Sequence, residues 1–380
     1  MPQQPGRIQY LDFLRGFAVV LMVMGHSIDS VLSLEARTTE LFRLYDAIRG
    51  FTAPLFLFVS GYAFSIATEK SWPAFLSVSA PVVKRFSKIL LLLLVGYALH
   101  FPFFSFDKLL HATRSEEYAQ LFQVDVLHCV ALSLILLHLI IFLTRTPRTF
   151  ALTTLGVAAA IVLTTPVIWS IDLSPVLSPM VSPYFNQKQL SIFPLFPYAA
   201  FLFAGTATGH FYLEARQMSN ERRFFRKLVG FSLVAGLSGL VFDLLPYNIY
   251  PPHDYWKASP NFFLIRIGII LLITTGFYAI RRIPPLVARQ LVVLGQASLF
   301  VYIIHLVAVY GSAANNGLMQ IVGQTLVYHD AFIIASVLLL VMIGVVHVWN
   351  YLRTHHYFPA RFAQIALAGT LLFYFFTKPY

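Results

Sequence analysis

The chain has 380 residues, 58% of them hydrophobic and 11% charged, with a mean hydropathy of +0.73, a balance that excludes an ordinary soluble domain. Its formal net charge of +11 would suit nucleic acid, but Lys and Arg fall in short clusters between apolar runs and no separate basic domain carries them, so no nucleic-acid partner is expected. Cys129 is the lone cysteine, which rules out an intrachain disulfide and a cysteine-based zinc cluster.

Many apolar runs last about 18 residues or more, enough to cross about 30 Å of hydrocarbon as helix, and they do not alternate, so helices and not a barrel are predicted. In chain order the predicted spans are 9–31, 50–68, 88–104, 124–144, 149–170, 191–213, 228–246, 261–280, 287–311, 331–352 and 360–377. The fold class is an all-α polytopic membrane bundle of ten to eleven helices, forming one integral domain over 1–380. The first run resembles a secretory leader in following Arg7, but Asp12 and Arg15 interrupt it and no A-x-A-like site follows, so it is kept as a span. With the N-terminus inside, the inner segments hold Arg7, Lys70, Lys84, Arg85, Lys88, Arg145, Arg148, the cluster from Arg216 to Lys227, Arg281, Arg282, Arg289, Arg353 and Arg361. The outer ones hold Arg37, Arg43, Arg49, Lys108, Arg114, Lys188, Lys257 and Lys378. The asymmetry of about two to one predicts a cytoplasmic N-terminus, in the cell membrane if the source is bacterial. The predicted outer loops, 32–49, 105–123, 171–190, 247–260 and 312–330, are polar and long. Residues 69–87, with Trp72, lie along the inner interface or form an ordinary connection.

Ionisable groups inside spans are costly and mark pathways or sites. Arg15 and His26 are eleven residues apart, which puts them within about 20° of one helix face and about 16 Å apart along the axis. One groove can meet both, and a coenzyme A thioester has the matching shape, with an anionic head for the guanidinium and a reactive tail for the imidazole. Asp12, three residues before Arg15, can pair with it as structural support. Asp125 and His128 share a face at the start of the fourth span and are candidates for contact with substrate, as is His305 in the outer half of the ninth, with Tyr302 one turn earlier. His100 ends the third span on the same side. Arg266 lies well inside the eighth span, where it either pairs with Asp243 or contacts an anionic substrate. His210 and His347 fall near inner ends and are assigned no role.

"LDFLRG", with ten residues between Arg15 and His26, then "PLFLFVSGYAF" at 54–64 and "LGQASLFVYIIH" at 294–305, together resemble the transmembrane acyltransferase superfamily, comprising the acyltransferase-3 family and its heparan-α-glucosaminide N-acetyltransferase-like relatives. "FQVDVLHCVALS" at 122–133 is a weaker echo. The resemblance implies that His26 is the catalytic histidine and that Arg15 contacts coenzyme A. Ser60 and Gly61 match a Ser-Gly pair that either meets the coenzyme or allows close helix packing. Eleven candidate spans exceed the ten expected of acyltransferase-3 members.

The expectation is therefore a membrane-bound O- or N-acetyltransferase that moves an acyl group, in the first instance acetyl, from cytoplasmic acyl-CoA to a glycan or glycolipid at the extracytoplasmic face. Acetyl-CoA is a donor substrate, and no permanently bound cofactor or metal is expected. The alternative is a secondary transporter of an anionic solute or acyl carrier, which also tolerates polar residues in spans but lacks visible paired halves here. The sequence sets no oligomeric state.

Overall fold

The computed structural model describes residues 8–101, 104–111, 120–246, 249–280, 283–312, 315–355 and 357–379. Arg7, Arg114, Arg281 and Arg282 lie outside the described residues. The long helices are α1 (Gln9–Val31), α2 (Glu40–Arg49), α3 (Thr52–Glu69), α4 (Ala80–Leu99), α5 (Val126–Thr144), α6 (Pro147–Ser170), α7 (Leu195–Gln217), α8 (Glu221–Asp243), α9 (Pro260–Ala279), α10 (Pro285–Gln296), α11 (Ser298–Tyr310), α12 (Tyr328–His355) and α13 (Tyr357–Thr377).

Seven of the described helical stretches are long and apolar enough to cross a membrane, or eight if α10 and α11 count as one broken span. The protein is thus an all-α polytopic membrane protein. Helices also occupy the predicted spans near 88–104, 191–213 and 360–377, but they fall outside that set. In α4 the first three turns carry Lys84, Arg85 and Lys88, leaving an apolar stretch from Ile89 to Leu99 of about 16 Å, half of a bilayer core. The predicted span 287–311 is two helices meeting at 85°, with Ala297 between them. The predicted outer loop 32–49 contains α2, an amphipathic helix capped by the Thr39 side chain on the Phe42 amide.

The chain divides into two compact units, one of residues 1–56, 103–111 and 277–380, the other of 57–102 and 112–276. In the first, α1 is buried along most of its length and packs on α10, α11 and α12. Its crossing with α10 is backbone to backbone: a Cβ added at Gly16 would lie 2.0 Å from the Leu291 carbonyl oxygen, and one at Gly295 would lie 2.8 Å from that of Asp12. In lipid, helix association rests on van der Waals contact, which small residues at a crossing maximise. At its far end α1 is held by Ile28, Val31 and Leu32 packed with Ala331 and Ala335. The Ser33 amide donates to the Leu326 carbonyl at 2.9 Å, and the Leu326 amide to that of Val31 at 2.9 Å.

In the second unit α7 packs on α6, α5 and α8, and α4 packs on α5. Here α3 crosses α7 as closely as α1 crosses α10, because a Cβ at Gly61 would lie 1.8 Å from the Leu202 carbonyl oxygen. The Thr206 hydroxyl donates to the Gly61 carbonyl at 3.2 Å. Apolar side chains of α8 and α12, among them Phe231, Val234, Leu237, Phe332 and Leu340, are exposed, as lipid-facing surfaces are.

Gly16→Val and Gly61→Val each drive a side chain into a neighbouring backbone, and overpacking of a filled contact costs about 1–3 kcal/mol. Both variants should lower the thermal unfolding midpoint in detergent and yield less monodisperse protein. Gly156→Ala, where nothing lies within 4 Å of the added carbon, should unfold at or slightly above the wild-type midpoint.

Candidate functional site

The sequence motifs around Arg15 and around Gly295 meet in the first unit. Asp12 and Arg15 are half-buried on α1, and the Gly295 Cβ position lies 3.3 Å from the Arg15 Cβ. Three turns further along, half-buried His26 has its Nδ1 2.8 Å from the Tyr310 hydroxyl, and its ring lies 5.3 Å, centroid to centroid, from that of His305. The 85° bend after α10 is what turns α11 so that both His305 and its last residue, Tyr310, reach α1.

His305 is fully buried. Its Nδ1 lies 2.8 Å from the Val301 carbonyl oxygen one turn earlier, and because a carbonyl can only accept, that nitrogen carries the proton. The lone pair is therefore on Nε2, which has no hydrogen-bond partner among the described residues. Tyr302 packs against the His305 ring at 5.7 Å, edge to face. His26 has two arrangements with Tyr310: the phenol donates to Nδ1, or Nδ1–H donates to the phenol oxygen and leaves Nε2 with the lone pair.

Around this pair lies a shell that sequence reasoning missed. Arg49, at the end of α2, forms ion pairs with Asp29 and Asp46. The Tyr45 hydroxyl donates to the Gly25 carbonyl at 3.0 Å and to Asp29 at 3.2 Å. Arg37 donates to the Asp29 carbonyl at 2.6 Å. Arg49 bears electrostatically on both His26 and Tyr310. The available signal is Asp29, three residues after His26 and so on its face; in the sequence Arg37 and Arg49 stand only as charges of an outer loop.

The other predicted site residues lie in the second unit. Asp125 and His128 come together as expected, in a capping box at the start of α5: Asp125 Oδ1 accepts from the Leu127 and His128 amides at 2.9 and 3.2 Å, and lies 2.7 Å from His128 Nδ1. His100 Nε2 lies 3.4 Å from Asp125 Oδ2, without hydrogen-bond alignment. His128 is fully buried against the Tyr97 ring at 4.4 Å, and the Tyr97 and Tyr184 hydroxyls bond at 2.9 Å. Burial, followed by that bond, pushes the Tyr184 phenol up. These contacts give Asp125 and His128 a structural task at the helix start. Gly61 is likewise engaged in packing on α7, with half-buried Ser60 beside it. Arg266 is half-buried with its guanidinium over the Phe262 ring at 4.3 Å. The ion pairs among the described residues do not include one between Arg266 and Asp243, which is exposed.

The described helices make an all-α polytopic membrane protein in which the imidazoles of His26 and His305 lie 5.3 Å apart. The chain belongs to the family described as heparan-alpha-glucosaminide N-acetyltransferase, catalytic, whose model matches residues 7–252. Membership implies an acetyl-CoA-dependent N-acetyltransferase, and acetyl-CoA is the family's donor. No curated protein matches the chain. The matched region contains Arg15, His26, Ser60, Gly61, Asp125 and His128, while Arg266, Tyr302, His305 and Tyr310 follow it.

If Asp125 works as a cap, Asp125→Ala should destabilise the fold by about 1–2 kcal/mol, read as a lower thermal midpoint. Asp125→Asn, which still caps, should recover most of that loss.

Proposed function

We propose that the protein transfers an acetyl group from cytoplasmic acetyl-CoA to an amine or hydroxyl of a carbohydrate at the opposite face, with His26 as general base. Support comes first from the 2.8 Å contact between His26 Nδ1 and Tyr310. With Nδ1–H donated to the phenol oxygen, the Nε2 lone pair is free for an incoming N–H or O–H, and the ring is held in that tautomer. The acceptor atom attacks the thioester carbon as its proton passes to Nε2. The adduct then collapses with cleavage of the C–S bond, and the same proton goes to the departing sulfur, leaving coenzyme A and the acetylated product.

Arg15, about 16 Å from His26 along the helix, holds the coenzyme's phosphates, and the pantetheine arm runs between them. His305 Nε2 accepts a further hydrogen from the acceptor, and Tyr302 packs the ring in place. The family's glucosaminide acceptor suggests an amino sugar, and nitrogen is the better nucleophile toward a thioester. In this reading α4, α7 and α13 also cross the bilayer, giving ten or eleven spans, and the N-terminus is cytoplasmic because the basic clusters gather on that side.

The test is purified full-length protein with radiolabelled acetyl-CoA and a panel of amino sugars. His26→Ala should lower acetyl transfer by at least about 100-fold. Tyr310→Phe should lower kcat about three- to tenfold with the KM for acetyl-CoA unchanged, whereas Arg15→Gln should raise that KM. Transfer at the wild-type rate in His26→Ala would remove the assigned base.

A further inference from the structure

The turn between α7 and α8 concentrates positive charge where a helix tolerates it least. Arg222, Arg223, Arg226 and Lys227 occupy the first two turns of α8, beside the positive end of the helix dipole, where cations are unfavourable and anions favourable. Glu221 is the one carboxylate in that stretch, and it is already engaged by Arg216 at 3.6 Å and by the Tyr212 hydroxyl at 3.0 Å. Among the described residues the four cations form no ion pair or hydrogen bond, and the Asn220 side chain does not cap the helix.

Two of these cations, Arg223 and Lys227, line a cleft of about 510 Å³ between α7 and α8, within the range of about 300–1,000 Å³ of small-molecule sites. Its wall is apolar and asymmetric. Phe224, Leu228 and Phe231 stand at i, i+4 and i+7 on one face of α8, and that stripe leads on to exposed Val234 and Leu237, on a helix long and apolar enough to cross a membrane. Glu214 is the lone carboxylate in the lining, so the cleft is net cationic at its polar end and apolar where it runs toward the lipid-facing surface. A soluble anion would satisfy the first feature and leave the second unused.

We propose that this cleft binds an anionic phospholipid, with the phosphodiester between Arg223 and Lys227 and an acyl chain along Phe224, Leu228 and Phe231. Basic pockets between membrane helices recognise acidic headgroups in this way, and each such cation contributes substantially to attraction. The site is independent of the chemistry assigned to His26.

The test uses full-length protein in phosphatidylcholine nanodiscs doped with phosphatidylglycerol, with retained lipid read by native mass spectrometry. Wild-type protein should retain phosphatidylglycerol over phosphatidylcholine. R223Q/K227Q should lose that preference by about tenfold or more, R222Q/R226Q, on the neighbouring face, should largely keep it, and L228W should lose retention by filling the apolar wall without changing charge. Size exclusion establishes that each variant is folded. Equal losses in the two charge variants would mean diffuse surface attraction and would overturn the cleft, as would undiminished retention in R223Q/K227Q or L228W. Displacement of the lipid by coenzyme A, with a raised KM for acetyl-CoA in R223Q/K227Q, would reassign the cleft to the donor nucleotide and also overturn the proposal.

Discussion

The contact between α1 and α10 sets the positions of Arg15 and His26, because a helix that touches its neighbour through main-chain atoms has little freedom to roll. Gly16 and Gly295 remove the side chains that would hold the two rods apart. Their crossing fixes the azimuth of α1, and the azimuth decides which side of the rod carries its polar residues. At the other end, packing of Ile28, Val31 and Leu32 with Ala331 and Ala335 and the exchange of hydrogen bonds with Leu326 prevent the rod from sliding. Between these two anchors, cation and imidazole are held by packing, which in lipid takes the place of the hydrophobic effect.

A second constraint gathers charge near His26, where Arg49 is tied to both Asp29 and Asp46. Tyr45 and Arg37 brace the same carboxylate and its backbone. The amphipathic α2 thereby acts as a strut that carries charge to the end of α1.

Much of this was legible in the sequence, and the failures have physical causes. The rotational phase of Arg15 and His26 follows from 3.6 residues per turn, and the pairing of Asp125 with His128 follows from their three-residue spacing. Tyr310 could not be found that way, since it is 284 residues from His26 and no local rule links them. The bend at Ala297 is hidden because neither proline nor glycine stands at the break itself, which Gln296 and Ser298 flank; Gly295 serves the crossing with α1. The guanidinium of Arg266 lies over the Phe262 ring, an interaction that composition does not distinguish from core packing. The helix α2 was concealed by its charges, which made 32–49 read as a loop.

The tether on His305 carries one more consequence. A proton pinned to the ring by the residue's own preceding turn cannot hop across the imidazole unless the helix gives up that bond. A two-way relay would need both nitrogens to trade roles, so this ring is built as an acceptor at one fixed corner. Of two neighbouring imidazoles, tilted by 50° to each other, it is the one whose tautomer its own helix decides.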